Sequence, residues 1–292
     1  MNQPPLVTIG LPVYNAAPFL EDALRSIFSQ TYSFWELVIV DDGSTDESRT
    51  VVNKLRDERV RFLFDGKHMG LASRLNDVIR VARGKYIARM DADDLMHPAR
   101  LQTQLDFLLS HPEVDGVGCG LMVVDRTVEP VGILQHPVDH QTICTNMLRG
   151  ALIAHATFVA KTGWLQSHPY NEHNHSCEDW ELWQRTHSFS HFANLREPLY
   201  FYREFQTFSL RKYLFRKTDC VRTIWRHRCR YGTLRTSAAC AGHILRIPVY
   251  ALCTALRLQD YLIRARSRRI TPQEARTFRT VIGDIRGKTL PQ

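Results

Sequence analysis

The run Lys85-Tyr86-Ile87-Ala88-Arg89-Met90-Asp91-Ala92-Asp93-Asp94 puts three carboxylates into four residues, directly after a short apolar segment. The segment from Lys85 to Met90 reads as a buried strand, so the charge is concentrated where that strand ends. The neighbouring sequence alternates between strand-like and helix-like patterns. Val7-Thr8-Ile9-Gly10-Leu11, Glu36-Leu37-Val38-Ile39-Val40 and Val60-Arg61-Phe62-Leu63-Phe64 are short apolar strands, and a further one is expected around Val117 to Val124. Between them, Phe19, Leu20, Ala23, Leu24, Ile27 and Phe28 give a helical stripe, and a helix is expected from about Asp46. Leu71, Leu75, Val78, Ile79 and Ala82 give the next helix, which Gly84 is expected to close, and Leu101, Leu105, Leu108 and Leu109 give another.

Strands joined by single helices form a mostly parallel sheet with helices on both faces, because parallel strands need right-handed crossovers. Ligands of such sheets bind outside the carboxyl ends of the strands. Asp41-Asp42 follow Val38-Ile39-Val40, and Asp91, Asp93 and Asp94 follow Tyr86-Ile87-Ala88, so both acidic groups are expected at one sheet edge. Carboxylates gathered there repel one another unless a cation or a hydrogen-bonded ligand neutralises them. Hard divalent cations such as Mg²⁺ and Mn²⁺ take oxygen ligands, commonly one or two carboxylates and substrate phosphates. The other reading of Asp-Ala-Asp-Asp is a solvated cap on the next helix, a role expected for Asp94 at a helix beginning near Pro98.

Composition sets the frame. The chain has 292 residues, 44% of them hydrophobic, enough to bury a sizeable core. Met1-Asn2-Gln3-Pro4-Pro5 is not a secretory leader, and no apolar run is read as a membrane span. The seven cysteines contain no C-x-x-C pair, so reduced thiols and a cytoplasmic location are expected. The net charge of +8 hides an asymmetry. Residues 203 to 292 carry 20 Lys and Arg against 5 Asp and Glu, and the first 202 carry 18 against 25.

Val7-Thr8-Ile9-Gly10-Leu11-Pro12-Val13-Tyr14-Asn15, Val40-Asp41-Asp42-Gly43-Ser44-Thr45-Asp46 and the run from Ala82 to Asp94, in that order and spacing, resemble the family 2 glycosyltransferases of the GT-A fold. The resemblance covers roughly residues 5 to 205, and Cys177-Glu178-Asp179-Trp180-Glu181 looks like the family's Glu-Asp motif. It implies an inverting enzyme using a nucleotide-sugar donor and Mn²⁺ or Mg²⁺. Pro12, Tyr14, Asp41 and Asp42 would line the base and ribose pocket. Asp91 and Asp93 match the Asp-x-Asp motif, Asp93 being the direct ligand of the metal that bridges the donor phosphates. Asp179 would be the general base, with Glu178 beside it. His155 would stand with the metal and donor phosphates or with the acceptor, its other reading being a structural histidine. Arg203, in Tyr202-Arg203, would pair with diphosphate, although Glu204-Phe205-Gln206 depart from the family's usual continuation. The chemistry is sound without the family: sugar transfer needs a base for the acceptor hydroxyl and a counter-charge for the departing diphosphate. A non-catalytic nucleotide-sugar or glycan-binding relative is the alternative from another class.

Two further groupings carry less. His168, His173, His175 and Cys177 fit no zinc spacing. Gly116-Val117-Gly118-Cys119-Gly120 runs into an apolar strand with its third glycine one residue early, so it is no dinucleotide loop. The expected division is a catalytic domain, 1–205, and a basic helical tail, 206–292. In the tail, Leu210, Tyr213, Leu214, Val221, Ile224 and Trp225 form a stripe among arginines. Ile244 to Leu258 is apolar but interrupted, and Arg264, Arg266, Arg268 and Arg269 cluster. This pattern favours an anionic membrane surface at the inner face of the plasma membrane, and hence a lipid-linked or lipopolysaccharide-type acceptor, the other readings being a protein partner or a solvated helical face. No nucleic-acid motif is present.

Overall fold

A computed structural model describes residues 4–174, 176–203, 210–256 and 267–292. Nine strands form one sheet in the order β3-β2-β1-β4-β8-β6-β9-β5, with β7 paired to β6. Its first half is the parallel unit expected: β1 (Val7–Val13) lies between β2 (Trp35–Asp41) and β4 (Tyr86–Arg89), and β3 (Val60–Phe64) flanks β2. All seven residues of β2 are buried, which explains its unbroken apolar run. Leu37 and Ile39 enter the core beneath α1 (Ala17–Phe28) and α4 (Arg100–Ser110). Val38 and Val40 enter the opposite core with α3 (Leu71–Val81) and α7 (Glu178–Thr186). Helices therefore cover both faces. The helix expected near Asp46 is the single short α2 (Ser48–Asn53).

The second half is mixed. β8 (Val159–Lys161) inserts antiparallel between β4 and β6 (Gly116–Val124), which itself pairs in parallel with β9 (Phe192–Arg203). The short β5 (Leu95–Met96) and β7 (Pro130–Leu134) also run antiparallel to their neighbours. Short α5 (His140–Thr145) and α6 (Thr162–Ser167) fill the connections.

Gly84 does not close α3, which ends at Val81 with Ala82 already extended. Its amide donates to Thr8 Oγ1 at 2.9 Å, and a Cβ there would lie 2.5 Å from the Thr8 nitrogen, so the glycine serves close approach to β1. Leu109, expected in the α4 stripe, is exposed, while Leu101, Leu105 and Leu108 are buried.

Trp183 is fully buried in α7, its ring edge-on to Phe158 at 5.8 Å, and its indole N–H lacks a hydrogen-bond partner. Trp183→Ala should cost about 3–5 kcal/mol through the cavity it leaves. Trp183→Phe should cost less, because it also removes an unpaired donor. Urea midpoints at unchanged m-value measure both.

In the tail, α8 (Leu210–Arg226), α9 (Arg228–Tyr231) and α10 (Thr233–Ala255) pack on the α7 side of the sheet. Tyr213 and Ile224 of α8 are buried as the stripe requires, but Leu214 and Trp225 face outward. Arg230 donates to the carbonyls of Gln184 and Arg185 at the end of α7. His243 of α10 meets Trp180 at 5.5 Å and hydrogen-bonds the Leu148 carbonyl. By length and composition α10 is long and apolar enough to cross a membrane, where the sequence reading finds no span. The reason is that Arg235 and Arg246 are the only charged residues in its 23, Ala, Gly, Ser and Thr filling its first half. Helix α11 (Pro272–Arg286) returns to the sheet, burying Ile282 and Ile285 against Leu95, Met122 and Phe201. Arg268 pairs with Glu274 at 2.7 Å, whereas Glu204, Phe205, Gln206, Leu258, Arg264 and Arg266 lie outside the described residues.

Candidate active site

Strand register assembles the site. Val13 of β1 pairs with Asp41 of β2, and the Asp42 amide donates to the Val13 carbonyl at 2.8 Å. On the other side of β1, Gly10 pairs with Arg89, and the Met90 amide donates to the Gly10 carbonyl. Both acidic groups thus sit at the carboxyl edge of three adjacent parallel strands, with Pro12, Val13 and Tyr14 between them.

Asp42 is a buried hub. Its carboxylate accepts from the amides of Met69 and Gly70 and from Arg74 Nε at 2.8 Å, and His68 Nδ1 lies 2.9 Å away. Arg74 also reaches Asp65 and Asp77, and these partners hold it firmly protonated against its burial. Asp41 accepts from the amides of Gly43 and Ser44 with one oxygen, and its second oxygen is buried with no partner. Tyr14 is half exposed, its ring lying 4.2 Å from that of His68. This corner therefore holds a half-exposed aromatic ring against His68 and a buried carboxylate oxygen without a partner.

Asp91, Asp93 and Asp94 occupy the turn from β4 to β5, each offering a ligand oxygen within 4.8 Å of the others. Among the described residues this is the one group of His, Cys, Asp and Glu that could hold a metal ion. Asp91 pairs with the buried guanidinium of Arg89, and its amide donates to the Tyr200 hydroxyl at 3.0 Å. Asp94 is no helix cap: α4 begins at Arg100 without a side-chain cap, and Asp94 is buried, accepting from the Arg203 amide at 2.8 Å. Its second oxygen has no partner. Burial and the neighbouring Asp93 and Asp91 push Asp94 well above the usual carboxylate range. Burial and Asp91 push Asp93 up to about 6, and it has no ion-pair partner among the described residues. Three close carboxylates with one cationic partner, one orphaned oxygen and an all-oxygen donor set fit a hard divalent cation.

The start of α7 lies within electrostatic reach of this turn and of Arg89. Glu178 and Asp179 stand at its first two positions, and Asp179 accepts from the Trp180 amide at 2.6 Å. Burial raises the pKa of both, with Asp91 adding to the effect on Glu178 and Glu178 to that on Asp179. His155 lies apart from the metal-capable group. Its Nε2 is 2.9 Å from the Tyr170 hydroxyl and its Nδ1 is 3.6 Å from Glu178. Burial and Arg89 push it down to about 3, so it is neutral. Arg89 acts electrostatically on Asp93, His155, Tyr170, Glu178 and Asp179 alike, so its charge bears on both acidic groups.

Arg203 closes the far side. Its guanidinium is buried, bonded to Asp22 at 2.7 Å and lying over Phe19, and its charge stabilises the Asp93 carboxylate from a distance. Arg286 of α11 shares Asp22 at 2.8 Å, tying the chain's last helix to this corner. Sequence reasoning assigned no role to Arg89, although it stands in the decisive run. It also missed Tyr200, whose signal was its place beside Tyr202-Arg203, and Arg74, which no motif marked.

Residues 8–160 match the family described as Glycosyl transferase family 2. An uncharacterized glycosyltransferase of Haemophilus influenzae is 27% identical over 215 residues, covering 70% of this chain and 67% of that protein. EpsE of Bacillus subtilis is 32% identical over 212 residues, covering 70% and 75%. The Escherichia coli UDP-Glc:alpha-D-GlcNAc-diphosphoundecaprenol beta-1,3-glucosyltransferase WfgD is 34% identical over 106 residues, or 36% and 42%. The fold matches Staphylococcus aureus TarS 1-349 in complex with UDP-GlcNAc, at TM-score 0.62 and 16% identity over 96% of this chain and 80% of that one. It also matches the Pyrobaculum calidifontis mannosyltransferase PcManGT in complex with GDP-Man and Mn2+, at TM-score 0.60 and 18% identity over 97% and 85%. The architecture is of the GT-A type.

Proposed function

Since the chain belongs to glycosyl transferase family 2 and is a glycosyltransferase, we propose that it moves a sugar, with inversion, from a nucleoside diphosphate donor to a hydroxyl of a lipid-linked glycan. The observation that carries this reading is the pairing of two acidic groups on which the Arg89 charge bears: a metal-capable turn at the sheet edge and a carboxylate pair at the start of α7.

Each residue then has a task. The unsatisfied Asp41 oxygen accepts an N–H of the nucleotide base, Tyr14 offers its ring, and Pro12 and the Asp42 hub shape the pocket floor. Asp93, with Asp91 beside it, would hold Mn²⁺ or Mg²⁺, which when bound supplies Lewis-acid stabilisation to the departing diphosphate. Arg203 adds positive potential at Asp93 while staying bonded to Asp22. His155, neutral and held by Tyr170, positions Glu178. Asp179 takes the proton from the attacking hydroxyl. With base and diphosphate on opposite sides of the sugar, a single displacement inverts the anomeric centre.

The lipid-linked acceptor is supported by the glucosyltransferase WfgD, whose name specifies a diphosphoundecaprenol acceptor, and by the basic tail. We place the enzyme in polysaccharide biosynthesis at the cytoplasmic face of a membrane. Residues 1–205 carry catalysis, and in the tail, 206–292, helices α8 to α10 form the membrane-facing part. The test is transfer from UDP-, GDP- and dTDP-sugars to a polyprenyl diphosphate-linked sugar, with the product's anomeric configuration read by NMR. Inversion from one donor class supports the reading. Retention, or no transfer from any donor, overturns it.

A further inference from the structure

Away from the catalytic edge, a groove of about 760 Å³ lies between α10 and the segment from α5 to Arg149. Arg149, Arg235 and Arg246 line it, with His187, Tyr231 and His243, and no carboxylate is among its lining residues. The three arginines are exposed and make no ion pair among the described residues, whereas Arg74, Arg89, Arg185, Arg203 and Arg286 are all paired. Tyr231 stacks on His187, and its buried hydroxyl has no hydrogen-bond partner. A groove whose lining carries three unpaired guanidinium groups and a hydroxyl without a partner, and no carboxylate, favours an anion.

The helix itself indicates where the anion comes from. Leu234, Ala238, Ala241, Leu245, Val249, Leu252 and Leu256 recur at helical spacing along one side of α10. Leu234 is 85% and Leu245 69% exposed, and Val249, Leu252 and Leu256 are more than half exposed. One residue round the helix, Arg235, Ala239, Gly242 and Arg246 form the parallel row that lines the groove. An apolar stripe bordered by arginines fits a bilayer surface, the stripe meeting acyl chains and the guanidinium groups meeting phosphates.

We propose that this groove binds the phosphate or diphosphate headgroup of a membrane lipid, holding the lipid-linked acceptor while α10 lies on the bilayer. The proposal rests on the lipid-linked acceptor reading above and assigns it a place. Helix α7 joins the two sites: Asp179 stands in its first turn, and His187, just past its end, lines the groove, about 12 Å along the helix axis. The Trp180 ring, adjacent to Asp179, packs on His243 of the groove wall.

The test is co-sedimentation of the full chain with phosphatidylcholine vesicles with and without polyprenyl phosphate, and separately with phosphatidylglycerol, inorganic pyrophosphate being the soluble competitor. Wild type should bind polyprenyl phosphate vesicles at least 10-fold more tightly than phosphatidylcholine alone, and pyrophosphate should compete. Arg235→Gln with Arg246→Gln should weaken that binding about 30-fold, as expected for two charges near an anionic surface. Both arginines are exposed, so the variant should fold, which its thermal transition checks. Leu245→Ser with Leu252→Ser should weaken binding to every vesicle. Unchanged binding by the arginine variant overturns the proposal, as does equal wild-type binding with and without phosphate lipid, or binding to phosphatidylglycerol that pyrophosphate does not displace. Hydrolysis of the nucleotide-sugar in lipid-free solution reports the donor site alone, so a failed groove is distinguishable from a failed enzyme assignment.

Discussion

Asp179→Asn lowers kcat by about 10² to 10⁴-fold, the usual contribution of a general base, and leaves nucleotide binding within a few-fold of wild type. The reason is placement. Asp179 stands at the start of α7 and, among the described residues, has no hydrogen bond or ion pair with Tyr14 or Asp41, which the proposed donor pocket uses. Asn keeps the size of the side chain and its acceptor for the Trp180 amide, so the fold is preserved. A pH profile separates this role from a structural one. Burial, with Glu178 beside it, raises the pKa of Asp179, and the base acts only when deprotonated. Wild-type kcat should therefore fall on acidification from a pH above the ordinary carboxylate range, and the residual rate of the Asn variant should lack that limb. Turnover retained in Asp179→Asn would remove the residue from this role.

Asp93→Asn should abolish detectable transfer and, in metal-free buffer, raise the melting temperature. Asp93 lies close to Asp91 and Asp94, and burial with the Asp91 charge pushes its pKa up to about 6 in the folded chain. The unfolded chain loses the proton near pH 4. The folded state therefore binds the proton more tightly, and its stability declines as pH rises from about 4 through about 6. The amide is neutral throughout, so the gain in melting temperature should be full above pH 7 and vanish near pH 4. A saturating divalent cation should reverse the ranking, because the ion stabilises the wild-type carboxylates by mass action. Calorimetric melting at three pH values, with EDTA and with Mn²⁺, gives all of these readings. An Asn variant no more stable than wild type at pH 7 in EDTA would mean that the three carboxylates do not strain the fold.

What the sequence disclosed was governed by local chemistry. The unbroken apolar run of β2, the stripes of α1 and α3, and aspartates placed just beyond β2 and β4 follow from periodicity and sheet-edge rules, and each stands where those rules put it. The second half of the sheet resisted the same reading. At three residues, β8 is too short to show a period, so its antiparallel insertion between β4 and β6 left no mark. Tertiary bonds were equally silent. Asp94 reads as a cap by type, but it is buried by β9 and holds the Arg203 amide, a contact spanning 109 positions. Gly84 reads as a helix stop but serves its approach to Thr8. His155 reads toward the metal and donor phosphates or the acceptor, and its ring is held between the Tyr170 hydroxyl and Glu178. The tail's charge was plain in composition, but the return of α11 onto Asp22 through Arg286 was not.

The measurement that bears most directly on the account is calorimetric titration of UDP, GDP and dTDP into the full chain, with Mn²⁺ and with EDTA, alongside Asp93→Asn. The account predicts that one nucleotide binds in Mn²⁺, that EDTA removes most of that affinity, and that the variant loses it as EDTA does. Binding of none of the three in either condition, or metal-independent binding unaffected by the substitution, would contradict a donor site at the β4 to β5 turn.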